Sequence, residues 1–442
     1  MSTAAGPGTL VHSGVLVRDR TITVPVDWAA PERLGTIEVF AREIVDPSRD
    51  SEDLPLLLFL QGGPGGASPR PGGSGWWTAA LKDYRVVLLD QRGTGRSAPV
   101  HAGTAAAFGH GVEGATALAD YLACFRADAI VRDAEHLRRT VYGGRTWTTL
   151  GQSYGGFCTL VYLATAPEAL DGCMVTGGLV GITATAEDVY RATYARQETR
   201  NAQFRARVPR DGELLDAFAD QLAAEPVRLP DGDLLTVERL ATLGWSFGMS
   251  SGFRDLHWAL DTSGLDAVGG PQPTPGFLEW VAAQTSFATN PLYIALHEPI
   301  YHQGFREPGW VAQAERDRRP AWSPSTRPLM LTGEMVYPWM LRDHWALRPL
   351  AGAAEELANR TEWPVLYDVE RLASNEVPVA AVQYVDDPYV DLDLALGTAD
   401  RVGAMDVWVT NEFLHDGLRT SGEIILPRLR ALLDGTWQLP TA

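Results

Sequence analysis

The stretch Gly151-Gln152-Ser153-Tyr154-Gly155-Gly156 decides the fold prediction for this chain of 442 residues. The run 147–150 predicts a strand directly before it, and the run 157–166 predicts a helix directly after it. Larger side chains beside the serine would collide in so tight a turn, which pushes the serine hydroxyl out at the edge of a sheet. A chance match is the alternative in a chain with 44 glycines. The strand–turn–helix context favours a nucleophile elbow instead.

Strand and helix signals alternate around this turn. The short apolar runs 55–60 and 85–89 each end in a glycine-rich loop, which is typical of strands buried on both faces of a parallel sheet. Apolar residues recur at helical spacing over 128–142. The alternation predicts a doubly wound, mostly parallel α/β sheet. The β-branched runs 21–26 and 36–39 predict an antiparallel hairpin that leads into this sheet.

The alternation stops after a further strand signal at 172–176 and resumes late in the chain. The intervening sequence is mostly helix-like and rich in Trp, Tyr, Arg and Pro. Strand signals return at 377–384 and 406–410, and 424–433 predicts a closing helix. We therefore expect a large, mainly helical cap that is inserted between core strands.

The predicted domain division follows from this interruption. We expect a first core part at 1–182, a cap at 183–375 and a second core part at 376–442. A cluster of Gly and Pro at 264–276 predicts a loop inside the cap, or a boundary between two cap subregions.

Charge and hydropathy exclude several classes of partner. The 37 basic and 55 acidic residues give a formal net charge of −18. This field would repel nucleic acid, whereas it would attract a cationic small molecule or a peptide amino terminus. No apolar run approaches the ~18 residues that a bilayer crossing needs, so we expect no membrane partner. The sequence does not indicate an oligomeric state.

The three cysteines and the N-terminal residues bear on the compartment. Cys124, Cys158 and Cys173 lack the paired spacing of a zinc site, and an odd number cannot all pair as disulfides. We expect three reduced core residues. Residues 1–10 lack a cationic segment followed by an apolar core, so no secretory signal is expected. The sequence thus predicts a cytoplasmic location.

The elbow serine needs a base, usually a histidine that a carboxylate holds in place. In α/β-hydrolases the order along the chain is serine, acid, histidine. His415 alone among nine histidines lies beyond the resumed strands. Asp386 and Asp387 both follow the strand 377–384, and we prefer Asp387 because only one of two neighbours should point at the histidine. The predicted catalytic set is Ser153, Asp387 and His415.

The loop Gln61-Gly62-Gly63-Pro64-Gly65-Gly66 follows the strand 55–60, at the place from which an α/β-hydrolase supplies an oxyanion donor. The predicted donors are the N–H groups of Gly63 and of Tyr154, which follows the elbow serine. A plain turn is the alternative. A phosphate loop is excluded because no Gly-Lys-Ser/Thr follows.

A second glycine-rich segment, Asp90-Gln91-Arg92-Gly93-Thr94-Gly95, follows the strand 85–89. The spacing of a dinucleotide-binding loop is missing. We expect a structural role, in which Asp90 and Arg92 tie together the loops around the oxyanion turn.

At these motifs the sequence resembles the proline iminopeptidase (prolyl aminopeptidase) family, serine peptidases of the α/β-hydrolase fold grouped as S33. The likeness covers almost the whole chain and is closest to the larger type of the family. Gln61 departs from many relatives, which have His there, but that loop acts through its backbone. The resemblance is carried by 62–66, 90–95, 151–156 and His415-Asp416-Gly417, and in the cap by 188–194, 290–293 and 333–339.

The resemblance implies removal of N-terminal proline from small peptides with a free amino terminus, with neither a metal nor an organic cofactor. In this family, glutamates of the cap bind the substrate's amino terminus. Glu298 lies in a stretch similar to one such site and is the leading candidate, followed by Glu334 and Glu198. Each of them is alternatively a solvated helix residue.

Three other activities stay open. A carboxylesterase or another acyl hydrolase would use the same catalytic set without the amine-binding carboxylates. A related exopeptidase would prefer a different N-terminal residue. A catalytically inactive binding module is the third alternative, and the presence of all three residue types of the catalytic set counts against it.

Overall fold

Thirteen strands lie in the part of the chain that the structure, a computed structural model, describes, which is residues 9–263 and 272–437. They are β1 (Thr9–His12), β2 (Val15–Pro25), β3 (Thr36–Val45), β4 (Leu56–Leu60), β5 (Arg85–Leu89), β6 (Trp147–Gln152), β7 (Leu170–Thr176), β8 (Val227–Arg228), β9 (Leu234–Leu235), β10 (Gly304–Phe305), β11 (Glu362–Trp363), β12 (Val379–Tyr384) and β13 (Met405–Thr410).

Nine of these strands form the central sheet, in the order β1-β2-β3-β5-β4-β6-β7-β12-β13. The six strands from β5 to β13 in this order are parallel, whereas β1, β2 and β3 form an antiparallel edge. Every residue of β4 and β12 is buried, which explains why β4 is apolar throughout and why β12 is apolar apart from Gln383. The predicted α/β fold with a mostly parallel sheet is confirmed, as is the hairpin of β2 and β3.

Helices cover the sheet and fill the interval between β7 and β12. They are α1 (Trp76–Ala80), α2 (Ala102–Ala107), α3 (Gly111–Ala123), α4 (Ala127–Val141), α5 (Tyr154–Thr165), α6 (Ala186–Arg207), α7 (Pro209–Ala224), α8 (Val237–Ala241), α9 (Gly252–Asp261), α10 (Pro275–Thr285), α11 (Pro291–Leu296), α12 (Val311–Asp317), α13 (Pro338–Asp343), α14 (Ala351–Asn359), α15 (Val369–Ala373), α16 (Leu392–Ala399) and α17 (Gly417–Leu433). Short 3-10 helices lie at Pro47–Arg49, Pro167–Ala169, Thr242–Gly248, Pro299–Tyr301, Pro320–Trp322 and Arg348–Leu350.

The long interval between β7 and β12 begins and ends at adjacent places in the sheet. β12 pairs in parallel with β7, with Val379 opposite Cys173. The interval contains α6 to α15 and the two small strand pairs β8–β9 and β10–β11, so it is mainly helical as expected. The limits 1–182, 183–375 and 376–442 stay predictions. Residues 264–271 of the Gly and Pro cluster lie outside the described residues, and α10 begins at the cluster's end.

The cysteines are free, as expected. Cys158 and Cys173 are buried in the core, whereas Cys124 is only half-buried at the end of α3, so the expectation of three core cysteines was too simple. Over the described ranges, no helix is long and apolar enough to cross a membrane.

Asp90 and Arg92 brace two different regions. Asp90 accepts hydrogen bonds from the backbone N–H of Ser68 at 3.1 Å and from both terminal nitrogens of Arg70 at 2.8 and 2.9 Å. It therefore holds the chain that follows the oxyanion turn, as predicted. The Nε of Arg92 donates to Asp133 of α4 at 2.7 Å, and its other nitrogens donate to carbonyls at the ends of β2 and α3. Arg92 therefore ties α4 to the ends of β2 and α3, and not, as expected, the loops around the oxyanion turn.

Candidate active site

Ser153 occupies a sharp turn between β6 and α5. Its backbone has φ 54° and ψ −123°, a conformation that few residues other than glycine adopt and that needs support from its surroundings. The support is close packing. A Cβ on Gly155 would lie 1.9 Å from the carbonyl oxygen of Leu60, and one on Gly156 would lie 2.4 Å from that of Gly178. Glycine is therefore required beside Ser153, and the turn has the geometry of a nucleophile elbow.

His415 and Asp387 meet in a buried pair. Nδ1 of His415 lies 2.6 Å from Oδ2 of Asp387, and both side chains are at most 5% exposed. Because an ionised carboxylate can only accept, Nδ1 carries the proton and Nε2 is left as an acceptor. The other carboxylate oxygen accepts the backbone N–H of Tyr389 at 2.8 Å, and the Tyr389 ring packs edge-on against the imidazole. Both partners are thus fixed in place.

Asp386 takes no part in this pair. It is half-buried beside Asp387, and the charge it contributes acts on Arg196 and Arg200 of α6. The geometry therefore distinguishes the two neighbouring aspartates. The sequence argument was only that one of two neighbours should point at the histidine.

The protonation of His415 is set by opposing effects. Burial lowers the pKa of His415, but the nearby negative charges of Asp387, Glu334 and Asp416, with the hydrogen bond that Nδ1 donates to Asp387, outweigh it and hold the pKa above its usual value. The imidazole is therefore a stronger base than a histidine in water.

Ser153 and His415 line one cavity of about 480 Å³. This volume is within the range of small-molecule sites. Gly62 and Gly63 form another part of the wall, and Glu334 and Tyr293 contribute from the interval between β7 and β12. The cavity thus lies where the carboxyl ends of the parallel strands meet the helical segment.

The oxyanion loop is held between the elbow and α11. A Cβ on Gly62 would lie 3.0 Å from the Cβ of Ser153, and one on Gly65 would lie 2.8 Å from the backbone nitrogen of Tyr293. Gly63 itself has φ 145°, in the region that favours glycine. Tyr154 is the first residue of α5, so its N–H has no acceptor within the helix. Gly62, which precedes one predicted donor, thus lies against Ser153, and Tyr154, the other predicted donor, directly follows it.

Glu334 is the glutamate that reaches the cavity. Its side chain is 22% exposed, Oε1 accepts the Tyr293 hydroxyl at 2.6 Å, and Oε2 lies 3.7 Å from Nε2 of His297. Burial raises the pKa of Glu334, but the hydrogen bond and charge of His297, the charge of His415 and the Tyr293 hydroxyl together hold it below the usual value. Glu334 is therefore a carboxylate at neutral pH.

Glu298 and Glu198 lie elsewhere. Glu298 is 2% exposed, and its two oxygens accept the backbone N–H groups of Val311 and Ala312 at 3.0 and 2.8 Å. Burial raises its pKa to about 7, although these two hydrogen bonds oppose the shift. Glu198 is exposed on α6. Neither residue lines the cavity, so the order of preference changes and Glu334 precedes Glu298.

Tyr293 and His297 were not singled out from the sequence. Both lie in or next to α11 and contact Glu334, and the Tyr190 hydroxyl lies 3.1 Å from Nδ1 of His297. The available signals were the stretch 290–293, which carried part of the family resemblance, and the stretch 297–301 around Glu298, which begins at His297 and is similar to an amine-binding site of the family. Among the described residues, no group of His, Cys, Asp or Glu is arranged to hold a metal ion.

Known proteins match this chain over most of its length. Residues 55–211 match the family described as alpha/beta hydrolase fold. A proline iminopeptidase of Aeromonas sobria is 42% identical over 428 residues, which cover 96% of this chain and 98% of that protein. A proline iminopeptidase of Aspergillus aculeatus is 33% identical over 92% of each chain.

Solved structures that are similar to this chain include a proline iminopeptidase of Mycobacterium smegmatis. It is 15% identical, with a TM-score of 0.43, and the match covers 94% of this chain and 98% of that one. The two near-full-length relatives above 30% identity establish the family. The resemblance that the sequence motifs suggested is confirmed, and the chain belongs to the proline iminopeptidase family of α/β-hydrolases.

Proposed function

We propose that this protein releases N-terminal proline from small peptides, with Ser153 as nucleophile, His415 as base and Asp387 as the residue that orients the base. The observation that carries the proposal is the buried His415–Asp387 pair, whose histidine lines the same cavity as the elbow serine. The 42% identity to a proline iminopeptidase along nearly the whole chain supports the substrate.

The first half of the reaction is acyl transfer. Nε2 of His415 takes the hydroxyl proton of Ser153 while Oγ attacks the prolyl carbonyl carbon. The N–H groups of Gly63 and Tyr154 hold the oxygen as it becomes negative, and each is worth about 3 kcal/mol of transition-state stabilisation. The peptide C–N bond then breaks, and the imidazolium returns its proton to the leaving amine.

The second half repeats these steps with water. His415 takes a proton from a water molecule, which attacks the prolyl ester of Ser153. The ester C–O bond breaks, the serine regains its proton and proline leaves. Asp387 stabilises the imidazolium in both halves and keeps the Nδ1–H tautomer.

The amino terminus of the substrate is recognised by Glu334. An N-terminal proline is a secondary ammonium at neutral pH, and Glu334 supplies a carboxylate in the cavity wall. A preceding residue would remove the positive charge and occupy the same space. The enzyme therefore cleaves after the first residue only.

Replacing Glu334 separates amine recognition from the chemistry. Glu334→Gln should lower kcat/KM for proline p-nitroanilide by about 30-fold to several thousand-fold, because a truncated, partly desolvated charge pair costs about 2 to 5 kcal/mol. Labelling of Ser153 by a fluorophosphonate, which carries no amine, should persist.

Glu298→Gln is the matched control. Its side chain lies outside the cavity, so we expect kcat/KM to change by less than about threefold, with a lower melting temperature because a neutral amide supports the two N–H groups less well. If Glu298→Gln shows the large loss and Glu334→Gln does not, the amine is bound at Glu298.

The reaction should need His415 unprotonated, and the raised pKa sets the pH range. The rate of fluorophosphonate labelling should rise with pH through a midpoint above ~6.5, the usual histidine pKa. Because the charge of Glu334 helps to raise the pKa of His415, the midpoint for Glu334→Gln should lie at lower pH. A midpoint unchanged in this variant would show that the two groups do not interact.

An ester hydrolase with the same catalytic set is the second candidate. The test is a panel of aminoacyl p-nitroanilides, with and without N-acetylation, compared with p-nitrophenyl acetate. The proposal predicts that proline p-nitroanilide is cleaved and that its N-acetyl derivative is not. Cleavage of the acetate ester alone would identify an esterase, and faster cleavage of another aminoacyl anilide would identify a different exopeptidase.

We propose that the protein is located in the cytoplasm. Three free cysteines, two of them buried, suit a reducing compartment. Cell fractionation with an antibody to the protein would test this, and recovery in a secreted fraction would contradict it.

A further inference from the structure

Part of the wall of the cavity that contains Ser153 is apolar and aromatic. Trp76, Trp77 and Leu418 belong to this aromatic wall. Trp76 and Leu418 belong to the buried cluster that α1 and α17 form on one face of the sheet, and Trp77 packs against that cluster. Tyr293, next to Glu334, packs against a different cluster, which the helical interval builds. The aromatic wall and the side that holds Tyr293 and Glu334 are therefore supported by different parts of the fold.

Trp77 belongs to this aromatic wall. The residue is half-buried, and a Cβ on Gly75 would lie 2.4 Å from the indole, so the ring lies directly over the backbone of a residue without a side chain. The Trp76 ring meets it edge-on at 6.0 Å between centroids. Met249 lines the cavity from the helical interval. These side chains form an apolar surface that is partly open.

Arg419 lines the same cavity and is largely unengaged. Its side chain is 71% exposed, and its Nη2 lies 3.5 Å from Oδ2 of Asp416 and 3.6 Å from Sδ of Met249. Asp416 has shorter bonds with the backbone N–H and hydroxyl of Ser250, at 3.0 and 2.9 Å. Of the lining residues within the described ranges, Arg419 is the one permanent cation.

The proposed reaction determines which part of the substrate meets the aromatic wall and Arg419. The imidazolium of His415 must reach the leaving nitrogen to protonate it, so the leaving residue lies beside His415. Leu418 and Arg419 follow His415 by three and four residues and line the same cavity. Glu334 holds the opposite, amino-terminal side of the substrate under the proposed function.

We propose that Trp77, Met249, Leu418 and Arg419 form a leaving-group site for the residue after the scissile bond. The apolar surface contacts a large apolar side chain, and the guanidinium pairs with the terminal carboxylate of a dipeptide. The substrate class is therefore a prolyl dipeptide with a large apolar second residue and a free carboxylate. This inference rests on the proposed function.

The carboxylate contact is tested with Pro-Leu and its C-terminal amide. For the wild type, kcat/KM should be about tenfold higher for the acid than for the amide, as one partly exposed charge-assisted bond would give. In Arg419→Gln the acid-to-amide ratio should fall to about one. Arg254→Gln is the control, since its side chain is 67% exposed and, among the described residues, pairs only with the adjacent Asp255, and it should keep the wild-type ratio.

The apolar contact is tested with Pro-Leu and Pro-Gly. Trp77→Ala should reduce the Leu-to-Gly ratio of kcat/KM by about 5- to 30-fold, because several methylene contacts are lost. Trp258→Ala, which removes a 61% exposed indole on α9, should leave the ratio unchanged.

Failure of this inference differs from failure of the proposed function. If the wild type cleaves acid and amide equally well, or if Arg419→Gln lowers both rates by the same factor, Arg419 does not bind a carboxylate and the inference is overturned. An unchanged Leu-to-Gly ratio in Trp77→Ala overturns the apolar part. If a wild type that is labelled by fluorophosphonate cleaves none of the prolyl substrates, the proposed function itself is overturned.

Discussion

Ser153→Ala should remain folded and lose turnover of proline p-nitroanilide by a factor on the order of 10⁴ or more, as removal of a nucleophile does in comparable triads. The side chain is the attacking group, and no neighbouring hydroxyl can replace it at the same turn. Alanine retains the Cβ that the turn already accommodates, so the strained backbone at φ 54° should persist. Steady-state kinetics at saturating substrate measure the loss directly.

A second serine of the cavity provides the control. Ser74 lies at the exposed rim of the same cavity, and Ser74→Ala should change turnover by less than about twofold, within the usual range for a surface substitution. Thermal unfolding should show similar midpoints for both variants. Retention of more than a few per cent of the activity in a folded Ser153→Ala would exclude the elbow serine as the nucleophile.

The elbow was predictable because its determinants are local. The strand, the turn glycines and the helix all lie within residues 147–165, and the structure shows contacts that exclude any side chain at Gly155 and Gly156. The buried strands β4, β5 and β12 were equally visible, since a strand covered on both faces has an apolar run as its signature.

Elements without such a signature were not predicted. β1 is a four-residue edge strand that, of the strands described, pairs only with β2, and short edge strands carry little pattern. α3 begins at Gly111 and contains a second glycine at Gly114, both of which weaken a helix prediction. Tertiary packing places these segments, and a single sequence does not contain that information.

The order of the glutamates depended on long-range contacts. Glu334 meets Tyr293 across 41 residues and lies near His415, which is still further along the chain. Glu298 is turned inward to the first N–H groups of α12. Position in the sequence cannot distinguish a glutamate that faces a cavity from one that supports a helix, because each of the two is a single acid among mostly apolar neighbours, at 295–301 and 331–337.

Asp387→Asn should lower kcat by about 10³- to 10⁴-fold, because the orienting carboxylate would be lost. The amide nitrogen of asparagine would donate to Nδ1 of His415 and move the imidazole proton to Nε2. The base would then present a proton, and no lone pair, to Ser153. The positive charge that develops on His415 would also lose its counter-charge, so the pKa of His415 should fall and the acid limb of kcat should move to lower pH.

The neighbouring aspartate supplies a matched comparison, since the two residues are adjacent in one turn. Asp386→Asn should cost less than about fivefold in kcat, because its charge faces Arg196 and Arg200 and has no contact with the imidazole. The test is the ratio of the two losses, measured on variants with equal thermal stability. Equal losses, or a greater loss for Asp386→Asn, would mean that the 2.6 Å pair of His415 and Asp387 does not orient the base.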